Sequence, residues 1–177
     1  MTSTGPTRVR LVNRVRFWLI LFLAGLVLSG VTAFPLETET RLLANVVGST
    51  GPDFLVAWVD RVRDGIAATN RAYPFMAYGT DWLGFAHLVI AVAFLGAIKD
   101  PVRNVWVVQF GMIACVAVIP LALIAGPIRG IPWGWRLVDM SFGVVGIVPL
   151  LFAYAGIRRL PAYVEPSEVE QSRQVVT

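Results

Sequence analysis

Four long stretches of the chain are almost entirely apolar, and charged or polar residues bound each of them. They cover residues 17–36, 82–98, 104–128 and 137–157. About 20 apolar residues in a helix cross the hydrocarbon core of a bilayer. The stretches show no alternation of apolar and polar positions, which disfavours a membrane β-barrel and leaves helices to satisfy the backbone in lipid. The pattern therefore predicts an all-α membrane protein with four transmembrane helices.

Small residues recur at helical spacing within the four predicted spans. They are Gly25 and Ser29 in the first, Ala86, Ala93 and Ala97 in the second, Gly111, Cys115 and Ala122 in the third, and Gly143, Gly146 and Ala153 in the fourth. Small side chains let membrane helices approach each other closely. This spacing predicts a four-transmembrane-helix bundle with narrow seams, in which Cys115 serves packing.

The loop of residues 37–81 between the first two spans also has a helical period. Its apolar residues recur three and four positions apart, at Leu55, Trp58, Val59, Val62 and Ile66. Charged residues fall on the opposite face, and residues 37–47 form a weaker helical pattern. One or two amphipathic helices are therefore predicted in this loop. They form either a structural cap at the membrane surface or a docking surface for a partner.

The positions of the basic residues predict how the chain is threaded through the membrane. Nine of the 15 basic residues lie before the first span, in the loop 99–103, or after residue 157. Basic residues are enriched in cytoplasmic segments. The tails 1–16 and 158–177 are therefore predicted to be cytoplasmic, whereas loops 37–81 and 129–136 are extracytoplasmic. An alternative is that the first span is a cleaved signal peptide ending near Val31-Thr32-Ala33.

Composition narrows the class of protein further. Hydrophobic residues make up 56% of the 177 residues and charged ones only 15%, far from the roughly 25% charge of soluble domains. The net charge of +4 is not gathered on a soluble face, which argues against a nucleic-acid partner. The single cysteine excludes an internal disulfide, and no motif for a metal or cofactor is present.

Five ionisable residues lie near the predicted extracytoplasmic boundary and form a candidate polar pocket. They are Asp81, His87, Arg129, Arg136 and Asp139. Ionisable groups within spans are costly and mark functional sites by default. By depth alone, Asp139 is the nearest partner for His87, and it can also pair with Arg136 on its own helix face. The alternatives are boundary anchoring for Arg136 and Asp139, and a structural hydrogen bond between helices for His87.

Two functions are consistent with this pattern. The first is a bacterial-type inner-membrane protein that acts as an accessory or interaction subunit, packing against another membrane protein or lipid. The second is a transporter or membrane enzyme whose outward-facing polar pocket accepts a small anion or a lipid headgroup. Membrane lipids are expected partners in both cases, and the sequence leaves enzymatic activity undecided.

Overall fold

The computed structural model describes residues 6–160, and every regular element within that range is helical. Six α-helices follow one another, together with a short 3-10 helix at Pro74–Ala77. The α-helices are α1 (Pro6–Thr32), α2 (Leu36–Thr50), α3 (Asp53–Ala72), α4 (Tyr78–Lys99), α5 (Val105–Ile128) and α6 (Trp133–Ile157). The predicted all-α class is therefore confirmed for the described part of the chain. Residues 1–5 of the first predicted tail and 161–177 of the second, which include Arg173, lie outside the described residues.

Four helical segments are long and apolar enough to cross a membrane, which indicates a membrane protein. They are Arg8–Thr32, Pro74–Lys99, Val105–Ile128 and Trp133–Ile157. Each contains most of one predicted apolar stretch, although α1 ends at Thr32 whereas the predicted span runs to residue 36. The limits of the lipid-embedded segments and the arrangement of a bundle stay predictions. Helices α2 and α3 occupy the long loop between the first two spans.

The chain divides into two compact units, and the first contains residues up to 23 and from 93 onward. Its core is made of fully buried apolar side chains from α1, α4, α5 and α6, including Val15, Phe94, Val108 and Leu150. Gly111 of α5 leaves room for Phe94, since a Cβ built on it would lie 2.8 Å from the Phe94 ring. Close packing in this unit therefore depends on small residues facing large ones.

Two of the predicted small-residue stripes meet in the first unit. A Cβ built on Gly143 of α6 would collide with the backbone carbonyl oxygen of Cys115 in α5, and one built on Gly146 would lie 3.2 Å from the Cys115 Sγ. On another part of α6, Gly156 packs against Val15 of α1. The predicted packing role of Cys115 is confirmed, because its backbone and its sulfur both lie against glycines.

An arginine of α1 caps the C-terminal end of helix α4 in the same unit. The last carbonyls of a helix have no partner within it. The Arg16 Nε donates to the Ile98 carbonyl at 2.9 Å and its Nη2 donates to the Lys99 carbonyl at 3.1 Å. The positive guanidinium thus satisfies two carbonyls at the negative end of the α4 dipole.

The second unit, residues 24–92, contains a glycine crossing that the sequence pattern did not indicate. A Cβ built on Gly84 of α4 would lie 2.7 Å from the carbonyl oxygen of Gly30 in α1 and 2.8 Å from the Phe34 ring. By contrast, nothing lies within 4 Å of a Cβ built on Gly25, the glycine expected at a seam. The backbones of α1 and α4 therefore meet at Gly30 and Gly84 instead.

Candidate functional site

The five residues of the predicted pocket belong to both units. Asp81 and His87 lie in α4 within the second unit. Arg129 directly follows α5, and Arg136 and Asp139 lie in the first turns of α6, all within the first unit. The convergence of all five on one pocket therefore stays a prediction, and each group is described in its own unit.

His87 has a local hydrogen-bond partner. Its Nδ1 lies 2.8 Å from the carbonyl oxygen of Leu83, one turn earlier in α4. A carbonyl only accepts, so Nδ1 is the donor in this contact. The His87 Cβ lies 3.1 Å from a Cβ built on Gly30, which places the histidine beside the glycine crossing. One ring nitrogen is thus occupied within the helix that carries it.

The turn between α5 and α6 positions Arg136. Gly130 has φ +67°, the left-handed conformation that glycine adopts without a Cβ penalty. The Ile131 N–H donates to the Gly126 carbonyl at 2.9 Å and the Gly130 N–H to the Pro127 carbonyl at 3.1 Å. This Schellman arrangement satisfies the last carbonyls of α5 and reverses the chain so that α6 starts beside it.

The Arg136 side chain is held by packing rather than by an ion pair. Its aliphatic stem lies directly against Gly126, where a Cβ would collide with it, and its guanidinium carbon lies 5.0 Å from the centre of the Trp133 ring. Within residues 6–160 it forms no ion pair with Asp139, the partner on its own helix face. The Arg136 Nε is buried and has no acceptor within the same range. Burying an unpaired N–H costs about 1–3 kcal/mol.

The geometry around Arg136 can serve one kind of chemistry. A guanidinium that lies over an aromatic ring can direct its Nη donors at a planar or tetrahedral anion. Arg129, on the same turn, is exposed, and Asp139 is half-buried one turn further along α6. This end of the first unit can therefore offer positive charge to an anion.

A second polar feature, which sequence reasoning missed, lies entirely in the second unit. It is a groove of about 480 Å³ between the start of α2, the end of α3, the 3-10 helix and the start of α4. We call it the Glu37 groove. Its polar side chains are Glu37, Thr38, Thr69, Asn70 and Thr80. Its larger apolar side chains are Phe34, Leu36, Ile66 and Met76.

Among residues 6–160, Glu37 is the only charged residue that lines this groove, and two neighbours contact its carboxylate. The Asn70 Nδ2 donates to Glu37 Oε2 at 2.8 Å, which joins α3 to α2. The Arg41 Nη2 lies 3.6 Å from Glu37 Oε1, one turn along α2. The Arg41 side chain is 61% exposed and that of Glu37 36%, so the pair is open to an incoming group. Glu37 and Asn70 are 33 positions apart, and no local pattern connects them.

The described residues contain no cluster of three or more histidine, cysteine, aspartate or glutamate side chains that could hold a metal ion. The two polar features are thus an arginine that can meet an anion and a carboxylate groove that can meet a cation. Comparison of the chain with protein-family models, with curated proteins and with solved structures finds no match.

Proposed function

We propose that this chain is a non-catalytic accessory or interaction subunit of a bacterial inner membrane, packing against another membrane protein or lipid. Uncovered apolar side chains on α2, a helix that is not itself one of the four candidate spans, carry the proposal. Val46 is 67% exposed, Leu42 59%, and Phe54 at the start of α3 77%. These side chains lie outside the segments whose apolar surface a bilayer core would cover.

Helices α2 and α3 expose side chains of different chemistry. On α2, Leu42 and Val46 are one turn apart and share an exposed face. On α3, Arg63 is paired with Asp60 at 2.8 Å and with Asp64 at 2.9 Å. The hydrogen bond to Asp64 raises the pKa of Arg63 above its ordinary value, so the guanidinium stays charged throughout the physiological range. A pair of helices that exposes both apolar and charged side chains suits the boundary between lipid and water.

The proposed threading puts both termini in the cytoplasm and the α2–α3 pair outside. It can be tested with single cysteines in a Cys115→Ala background, using a membrane-impermeant thiol reagent on intact cells. A cysteine replacing Asp64 is expected to react, whereas one replacing Asp100, in the loop after α4, is expected to react only after lysis. The reverse pattern would refute the threading.

The interaction itself can be tested by photo-crosslinking in cells from residue 46, with residue 45 as the matched control. Val46 lies on the uncovered apolar face, and Asn45 is exposed on a different face of the same helix. A photoreactive amino acid at 46 is expected to give an adduct with one partner protein or with lipid, and one at 45 to give little. Equal labelling at both positions, or none, would contradict the proposed role of this face.

A second candidate function is favoured by the Arg136 geometry. In this alternative the chain is a transporter or membrane enzyme whose outward-facing pocket accepts a small anion or a lipid headgroup. The buried Nε without an acceptor and the exposed Arg129 nearby support it. Arg136→Lys keeps the charge but loses the planar donors, so anion binding to the purified protein should weaken strongly in that variant. Normal function in a His87→Ala strain at normal abundance would count against this alternative.

A further inference from the structure

We propose that the Glu37 groove binds the headgroup of a zwitterionic phospholipid that carries a primary ammonium group. The inference rests on the proposed role of this protein in packing against lipid, and it assigns to one site a lipid of defined chemistry. The groove volume of about 480 Å³ falls in the range of small-ligand sites, roughly 300–1,000 Å³. That volume accommodates a headgroup and its glycerol backbone, while the acyl chains stay outside.

The polar wall of the groove suits a donor cation. The Glu37 carboxylate has about four acceptor positions, of which Asn70 occupies one and the distant Arg41 only weakly another. The Thr80 hydroxyl donates to the Ala77 carbonyl at 2.7 Å, so its own lone pairs are free to accept. A primary ammonium has three N–H donors and therefore matches a carboxylate and a hydroxyl.

The ion pair between Glu37 and Arg41 suits a zwitterionic headgroup. The Glu37 carboxylate and the Arg41 guanidinium are 3.6 Å apart, and Arg41 is the more exposed of the two. A phosphate joined by a short linker to an ammonium presents the complementary pair of charges. The phosphate can then meet Arg41, one turn further along α2, while the ammonium reaches Glu37 in the groove. A lipid with an anionic headgroup and no ammonium would instead face the carboxylate with a like charge.

The aromatic content of the groove distinguishes between two kinds of ammonium. Quaternary ammonium groups are recognised by cages of several aromatic rings. Phe34 is the one aromatic side chain that lines this groove in the described part of the chain, whereas several side-chain oxygens line it. The site therefore favours N–H donors over a trimethylammonium group.

The apolar wall of the groove lies where acyl chains would enter. Phe34 and Met76 are exposed and line the groove, and they lie next to the ends of α1 and α4. Both of these helices are among the four that can cross a membrane. Acyl chains of a lipid held here would thus continue along apolar helix surface while the headgroup stays at the polar wall.

The test uses the full chain purified in mild detergent and titrated with short-chain phosphatidylethanolamine, phosphatidylcholine or phosphatidylglycerol, with bound lipid counted by native mass spectrometry. Glu37→Gln removes the charge but keeps an acceptor for Asn70, and Glu39→Gln is the matched control in the first turn of the same helix. Phosphatidylethanolamine affinity is expected to fall about tenfold or more in Glu37→Gln and to stay within about twofold of wild type in the control.

A second pair of variants tests the groove without altering charge. Gly65 of α3 lines the groove, and a Cβ built there meets nothing within 4 Å. Gly48 of α2 is equally open but does not line the groove. Gly65→Leu should block the lipid and Gly48→Leu should not. Unchanged binding in both Glu37→Gln and Gly65→Leu, or equal affinity for the three lipids, would overturn the proposal. Crosslinks from residue 46 that persist in that case would leave the interaction role standing.

Discussion

Replacing Gly143 by alanine tests how closely α5 and α6 approach each other. A Cβ at this position would collide with the Cys115 carbonyl oxygen and lie 2.6 Å from the Val118 Cγ1. The carbonyl oxygen belongs to the helix backbone, so it cannot rotate away as a side chain can. The methyl group is accommodated only if the two helices move apart, which also loosens the contact between Gly146 and the Cys115 Sγ.

The expected loss follows from the geometry. Overpacking a well-packed site by one methyl group costs about 1–3 kcal/mol. The better helix propensity of alanine offsets roughly 0.5–1 kcal/mol of this loss of stability. The net loss is then about 1–2 kcal/mol, because the obstructing atom is backbone and the upper part of the overpacking range applies. For a chain of this length each kcal/mol shifts the Tm by roughly 2–4 °C, so a decrease of about 2–8 °C is expected.

The measurement is the Tm of the purified protein in one detergent. Unfolding is monitored as the loss of the monodisperse peak after heating. Gly134→Ala is the matched control, since Gly134 lies in the same helix and nothing is within 4 Å of a Cβ built there. Its Tm should be unchanged or slightly raised. A further Val118→Ala change should recover only part of the loss in Gly143→Ala. Full recovery would place the obstruction in the side chain, and equal Tm values for the two alanine variants would refute the close approach altogether.

Two further predictions concern other close contacts. Gly84→Ala should lower the Tm by a similar amount, because its Cβ would meet the Gly30 carbonyl oxygen, whereas Gly79→Ala in the same helix has open space and should not. Arg16→Gln should lower the free energy of unfolding by about 1.5–3 kcal/mol, because the guanidinium caps two carbonyls at the end of α4. Arg14→Gln removes the same charge from an exposed position and should lower the free energy of unfolding only slightly. Equal Tm values within either pair would contradict the corresponding contact.

The sequence predicts the helices of this protein far better than their contacts. Lipid thickness fixes how many apolar residues a span needs, so four segments could be located from composition and length alone. Spacing also identified Cys115 on one small-residue stripe and Gly143 and Gly146 on another, although only the structure shows that the two stripes meet. The same argument selects Gly25 on α1, where the structure leaves open space, and misses Gly30. Spacing identifies a stripe of small residues but not the partner helix that faces it.

The candidate site illustrates a second limit of sequence reasoning. Depth along a span suggested Asp139 as the partner of His87, yet a carbonyl one turn away in its own helix is already within hydrogen-bond distance of His87. The shared helix face suggested that Asp139 could pair with Arg136, whose guanidinium instead lies over the Trp133 ring. In the sequence pattern, Glu37 marks only the polar end of a predicted span. Its hydrogen bond to Asn70 could not be predicted, because that bond depends on how α2 and α3 fold against each other. A site can be predicted from charged residues in the sequence only when their partners lie within a few helical turns.

Helix α2 contributes to both the Glu37 groove and the exposed apolar face, on different sides of the helix. Thr40 and Ala44 are buried, and Glu37 shares their side of the helix at spacings of three and seven residues. Leu42 and Val46 lie on a different, uncovered side. A change at Glu37 therefore alters the groove without touching the apolar face, so Glu37→Gln should weaken lipid binding and leave crosslinking from residue 46 intact. Loss of both together would mean that the lipid in the groove holds α2 in place for its partner, which makes the groove part of the interaction surface.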